Sequence, residues 1–317
     1  MANGRARIHG LQAFWHQATF RPIAQATIRL IAIVSIVPSS TQFQSALEPD
    51  MLFLISLLVL PIGVASSPVE PTCASGQDPL EAMDPHDARE IKKHLPGIVI
   101  GPVKEMPPIT TAEEWCPLKT TRFTYQRPGE KKTTVELLVK TVDRAPGSSI
   151  DEPEQGWALE LPNGTTRYFR SDPKFGIVAP TDLSKGNGLI IRLDPPEPIV
   201  HQGAKVNEPV SSKIKVDIYD MHSPKSVAHS GNVTCTWTDL GGWRVKVPMG
   251  EFDTHLVRIE YKGSVGPASV DGDKYMFLAK GIGPVAFTDS REISAFLFFS
   301  ETNQKAGMLT SISHPKK

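Results

Sequence analysis

From Thr254 to Tyr261 the chain reads Thr-His-Leu-Val-Arg-Ile-Glu-Tyr, and every second residue falls on one face: His255, Val257, Ile259 and Tyr261. A period of two is the mark of an extended strand, because successive side chains point to opposite sides of a sheet. The pattern recurs on both sides of this stretch. Upstream, Trp243 to Val247 alternates with Arg244 and Lys246 turned outward. Downstream come Lys274 to Ala279 and Pro284 to Phe287. Breaks at Val247-Pro248-Met249-Gly250, Asp271-Gly272-Asp273 and Gly281-Ile282-Gly283 separate the runs.

Earlier parts of the chain give the same reading. Thr120 to Gln126, Thr133 to Val142, Trp157 to Leu161, Thr165 to Arg170, Leu189 to Leu193, Lys213 to Tyr219 and Asn232 to Thr238 are strand-like, and Ser294 to Ser300 and Lys305 to Ile312 close the series. Asn163-Gly164 marks a tight hairpin corner, and Asp194-Pro195-Pro196 is expected to end its strand. On the order of twelve strands follow one another with no convincing helix between them. The 28 prolines in 317 residues support this, since proline interrupts helices and suits short strands with loops. The expected fold class is mainly β: a large curved antiparallel sheet or open (incomplete) barrel with few helices, each strand having one wet and one buried face.

Three segments are expected. Residues 1–65 read as an over-extended start plus a signal-like segment. Residues 66–114 read as a Pro-rich linker with one short helix from about Pro85 to His94, capped by Asp84. Residues 115–317 form the antiparallel β domain. Within the first segment, Met51 to Ala65 is uncharged and apolar, and small residues at Gly63 and Ala65 suit a signal-peptidase cut after Ala65. Glu48 and Asp50 stand where basic residues belong, so translation is expected to begin at Met51, with one long targeting segment from Met1 as the alternative. An uncleaved helical anchor is the rival reading. As a helix, residues 51–67 reach roughly 25 Å, short of a bilayer core of about 30 Å, and Pro61 and Gly63 interrupt them. The expected location is therefore outside the cytoplasm, in the periplasm or cell envelope.

Charge is balanced, with Lys+Arg 34 against Asp+Glu 34. No nucleic-acid partner is expected, because such binding needs a basic footprint. Cys73, Cys116 and Cys235 form no Cys-x-x-Cys pair, and a Cys116–Cys235 disulfide is left open. His222, His229, Asp217, Asp220 and His255 are conceivable metal donors, but none has tight ligand spacing, so no metal and no cofactor is expected. There is no Gly-x-Ser-x-Gly elbow, and the carboxylates Asp217, Glu251, Glu260 and Asp273 cannot be paired from sequence. No catalytic residue is assigned.

Val247-Pro248-Met249-Gly250-Glu251-Phe252, the paired strand Leu256 to Ile259, the aromatic strand Tyr275 to Ala279, and Gly281-Ile282-Gly283-Pro284-Val285 together resemble bacterial envelope families of unknown function. Cys116-Pro117-Leu118 to Tyr125 resembles their opening strand, so the likeness spans roughly residues 115–312. It implies an incomplete barrel similar in shape to periplasmic lipoprotein carriers of the LolA type, without transferring a ligand.

The expectation for function is an exported, non-enzymatic envelope protein whose curved sheet binds a lipid or other apolar ligand, or an envelope protein partner. Trp237, Trp243, Phe252, Tyr261, Tyr275 and Phe277 are the candidate ligand-binding residues, with core filling as the competing role. The alternatives are an exported hydrolase with a site assembled from separated residues, and a purely structural β domain.

Overall fold

The computed structural model describes residues 78–130, 134–142, 156–161, 164–295 and 299–314. The expected leader, Cys73 and the Pro162-Asn163 half of the expected corner lie outside them.

The first helix, α1 (Pro85–His94), forms where its ends are written into the sequence. The Asp84 side chain accepts from the His86 and Asp87 backbone N–H groups, Pro85 occupies the first turn, and Lys92, Lys93 and His94 sit at the carbonyl end. Ile91 and Leu95 turn inward. Buried Asp87 accepts hydrogen bonds from the Tyr275 hydroxyl at 2.8 Å and from Arg258 at 2.9 Å, which pins α1 to the sheet. A short strand, β1 (Val99–Pro102), and a second helix, α2 (Ala112–Trp115), follow. The region expected to be a linker is thus, from residue 78 on, packed against the β domain, because its apolar residues complete that domain's cores.

The strands are β2 (Thr121–Gln126), β3 (Thr134–Val142), β4 (Gly156–Glu160), β5 (Thr165–Asp172), β6 (Gly176–Ser184), β7 (Leu189–His201), β8 (Val210–Asp220), β9 (Val227–Val247), β10 (Gly250–Val265), β11 (Ala268–Ala279), β12 (Gly283–Ala295) and β13 (Phe299–Ser313). All lie in one large antiparallel sheet, as expected. Each strand from β2 pairs with the next, and β13 returns to pair with β2. β1 pairs with the far end of β9, where β8 no longer reaches. The long strands therefore leave little unpaired edge.

Three strands differ from expectation for one reason. β6 contains Pro180, and the ladders to β5 and β7 both shift register around it, so the missing N–H is not needed. β7 runs on through Asp194-Pro195-Pro196 because residues 193–196 fall in the same shift opposite β6. The two runs around Gly241-Gly242 are one strand, β9, with an irregularity in its pairing to β10.

Alternation sorts the side chains into two main cores. Val257, Ile259, Tyr261, Met276 and Leu278 enter one, with Ile109, Trp115, Ile177, Ile199 and Trp237. Leu256, Tyr275 and Phe277 enter the other, with Ile91, Leu95, Trp243 and Val245. β10 and β11 are thus covered on both sides where α1 packs, and the expected wet face is missing there. The first core is the inner one. α2 contacts β6, β7 and β12, which lie far apart round the ladder, so it sits across the interior at one end. The Ile109 carbonyl accepts from Gly203 and the Glu114 carbonyl from Gly281, tying this plug to two hairpin turns at that end. At the inward position Gly263, an added Cβ would overlap the backbone of Asn232 and Val233. Glycine there lets two strands approach and bend together.

Trp115→Ala should lower stability by about 3–5 kcal/mol, since a large buried side chain leaves a cavity in the plug. The exposed Ile100→Ala should change it by less than about 0.5 kcal/mol. Urea unfolding followed by circular dichroism measures both.

Candidate functional site

Beyond the plug, the inner face changes from apolar to charged. Arg167 on β5, Asp182 on β6 and Glu197 on β7 meet there. Arg167 grips Asp182 with two hydrogen bonds, Nε to Oδ1 at 2.8 Å and a terminal nitrogen to Oδ2 at 2.6 Å. Its other terminal nitrogen donates to Glu197 at 3.3 Å. The Tyr261 hydroxyl, on β10, donates to the same Glu197 carboxylate at 2.6 Å. That contact joins strands that are not neighbours in the ladder. Arg291 on β12 holds Asp289 bidentately at 2.8 and 2.9 Å, and its guanidinium lies 4.7 Å from the centre of the Tyr261 ring. Lys274 on β11 and Lys305 on β13 stand directly opposite Asp289 in the two flanking ladders.

Burial and charge oppose each other throughout this cluster. Burial alone would push the Glu197 carboxyl up, yet Arg167, Lys274 and Arg291 hold it below its ordinary value near 4.5. Asp289 is likewise held down, by Arg291, Lys274 and Lys305 against the effect of burial. Burial works against the charge on Arg167, but Asp182 and Glu197 outweigh it and keep that group cationic. For the two lysines burial wins: Lys274 and Lys305 both fall below 10.5 despite Glu197 and Asp289 nearby. Neither ammonium has a hydrogen-bond or ion-pair partner among the described residues. Glu197 is only 5% exposed, whereas Asp289 and Arg291 keep 20% and 29%. The charged row therefore borders accessible space while the Glu197 tie beneath it is sealed.

The six aromatic candidates are not brought together. Trp237 and Tyr261 lie in the inner core, while Trp243, Tyr275 and Phe277 lie in the core under α1 and half-buried Phe252 packs against it. Five of the six are buried. The four carboxylates weighed for catalysis sit on exposed or half-exposed strand positions: Asp217 pairs with Lys215, Glu251 with Lys246, Glu260 with Arg258 and Asp273 with His86. The charged inner residues escaped sequence reading because Lys, Arg, Asp and Glu in a strand ordinarily mark its wet face. A signal existed, however. Lys274 shares parity with Met276 and Leu278, and Arg291 and Asp289 with Phe287, so these charges interrupt apolar rows.

His255 is the remaining buried titratable group of interest. Its Nδ1 lies 2.9 Å from the Asp239 carboxylate, its Nε2 is 2.9 Å from the Pro107 carbonyl, and its ring meets Trp115 edge-on at 4.6 Å. Burial opposes its protonation, but Asp239 raises its pKa above the ordinary 6.5. Both ring nitrogens are occupied, by Asp239 and the Pro107 carbonyl, so this His–carboxylate pair fastens the plug. Cys116 and Cys235 are both free thiols, and burial pushes the Cys116 thiol up to about 12. No group of three metal-binding side chains occurs among the described residues.

No protein-family model matches the chain. No curated protein matches it in sequence. Two solved structures show a distant likeness. One is a lipoprotein candidate from Parabacteroides distasonis, 12% identical, covering 65% of this chain and 97% of its own, with a TM-score of 0.29. The other is a candidate exported protein with a YmcC-like fold from Bacteroides fragilis, 13% identical, covering 61% and 94%, with a TM-score of 0.28. Scores below 0.3 do not define a shared fold.

Glu197→Ala should destabilise by about 3–5 kcal/mol, because Arg167 is left buried with less opposing charge. The stability contributed by Glu197 and Asp289 is complete above about pH 4.5 and is lost as pH falls through their depressed folded values. Glu197→Gln should therefore flatten the acid limb of a stability–pH curve. The lysines act in the opposite sense. A lowered lysine pKa means that the unfolded chain binds the proton more tightly, so stability rises as pH climbs from the folded value toward 10.5. Lys274→Met should be more stable than the parent at pH 7 and lose that advantage by about pH 10.5, measured by urea unfolding at each pH.

Proposed function

We propose that this is an exported, non-enzymatic binding protein of the cell envelope whose curved sheet holds a polar ligand against its charged inner face. One observation carries the reading: Lys274 and Lys305 flank Asp289 in the two neighbouring ladders on the inner face, and neither makes a hydrogen bond or ion pair among the described residues. Arrangements that lower stability without structural return are typical of binding sites.

The acid–base pattern supports binding over hydrolysis. A general acid needs a carboxyl pKa raised toward neutrality. Glu197 and Asp289 are instead held ionised by arginines. Five of the six aromatic candidates are buried and divide between two cores, which favours a polar ligand over a lipid. The groove beside α1, about 320 Å³ and lined by Leu80, Met83, Pro85 and Ala88, is open and mainly apolar, and Asp78 and Lys92 at its rim pair at 3.2 Å. Its charged lining residues, Asp78, Glu81, Arg89 and Lys92, are balanced in sign.

Export is supported by the apolar, small-residue-ended segment at residues 51–65. The outward faces suit water. Lys213, Lys215, Lys262 and Asp271 are exposed on β8, β10 and β11, where a membrane-spanning barrel carries an apolar band. No helix among the described residues is long and apolar enough to cross a membrane.

Native mass spectrometry of the protein purified from the organism that makes it should show a small non-protein mass that dissociates on denaturation. A bare polypeptide mass in repeated preparations, unaltered by added cell-envelope extract, counts against a binding role.

A further inference from the structure

The inner wall has a charge imbalance with a definite location. Three of its acids are taken up by its two arginines: Asp182 and Glu197 by Arg167, and Asp289 by Arg291. Tyr261 adds a further donor to Glu197. Two cations remain. Lys274 is the ladder partner of Asp289 on one side, and Lys305 is its ladder partner on the other. The three side chains thus form a row across β11, β12 and β13, all turned inward with Met276 and Phe287.

Geometry makes this row a clamp. Directly opposed residues on neighbouring strands have Cβ atoms about 5 Å apart, so the two lysines start about 10 Å apart. Each carries a four-carbon stem ending in three donors, long enough for both to reach one small group above Asp289. The central carboxylate is engaged by its bidentate contact with Arg291. The inward residue before Lys274 is Gly272 and the one after Lys305 is Gly307, which the Phe287 ring covers.

Resting on the binding role argued above, we propose that the inner face captures an oxyanion, a carboxylate or phosphate group borne by the ligand, between the ammonium groups of Lys274 and Lys305. The oxyanion supplies the counter-charge that the wall lacks. A charge removed from water is tolerated when it is paired and hydrogen-bonded, and each ammonium offers donors suited to an oxygen acceptor. Lysine suits the task because a mobile point charge can follow oxyanions of different shape, whereas the arginines are locked to their carboxylates.

Thermal unfolding of the full chain at constant ionic strength tests the inference, with inorganic phosphate, glucuronate and glucose as probes. Phosphate, glucuronate or both should raise the unfolding temperature saturably, and glucose should not. A response to phosphate alone marks a phosphate-bearing ligand, and a response to glucuronate alone marks a carboxylate. Lys274→Met and Lys305→Met should each weaken the anion response at least about tenfold. Lys213→Met, on the outer face, should leave it unchanged. Lys274→Met removes a buried charge and is expected to fold, so a lost response there reports binding. An undiminished response in the double lysine variant overturns the proposal, as does no response to either anion up to about 50 mM. A shift with glucose alone, or a neutral co-purifying mass, overturns the oxyanion clamp and leaves the binding role standing. A bare mass from native preparations together with no response to any probe removes both.

Discussion

Arg167 ties the interior together. Its planar guanidinium reaches Asp182 on the next strand and Glu197 on the one after, and Tyr261 meets Glu197 from across the ladder. Four strands are joined through one arginine, two carboxylates and a tyrosine hydroxyl. In water such contacts contribute little, because solvent competes for every donor and screens every charge. Inside the sheet the same geometry is obligatory. Removing either partner leaves the other desolvated, and that penalty exceeds the worth of the pair itself. Placement of the charged row, the orientation of the Tyr261 ring and the stacking of Arg291 on it all follow from this tie.

The apolar half of the molecule makes it sustainable. α2 and the segment around Ile109 fill one end of the interior with Trp115, Ile177, Ile199 and Trp237. That plug keeps the Arg167–Glu197 contact away from water at one end. The His255–Asp239 pair fastens the plug from below, with the Pro107 carbonyl as its second anchor. On the outer side α1 is held by the Asp87 contacts to Tyr275 and Arg258. The structure uses one device twice: a segment from the N-terminal part is attached to the sheet by Asp87 meeting Arg258 and Tyr275, and by the Pro107 carbonyl meeting His255.

The lysines do not fit that scheme, and the difference gives them their meaning. Asp87, Asp239 and Glu197 all have partners that outweigh the loss of water. Lys274 and Lys305 have only neighbours, and burial remains the strongest influence on each. Groups in this condition are a standing load on folding, and a ligand relieves it. The site is therefore read from where electrostatic satisfaction fails within an otherwise satisfied interior.

Alternation in Thr254 to Tyr261, the Val247-Pro248-Met249-Gly250 turn and the Asp84-Pro85 cap determined the antiparallel sheet and α1, because period and capping are local properties that each residue carries with it. Sequence lost β6 and the second half of β7, where Pro180 and Pro195-Pro196 read as breaks; a register shift that spares a proline exists only once neighbouring strands are in place. It could list Trp237, Trp243, Tyr261, Tyr275 and Phe277 as large apolar material, yet could not say that they divide between two cores, since that depends on which face α1 and α2 cover. The parity of Lys274 and Asp289 with apolar neighbours was local, but the assembly of the charged row was decided by tertiary structure. Lys274, Asp289 and Lys305 lie up to 31 positions apart in sequence (305 − 274) and become neighbours only through the ladders joining β11, β12 and β13. A lysine on a strand turns toward water by default, and only a sheet that brings β13 back to β2 gives it an interior to face.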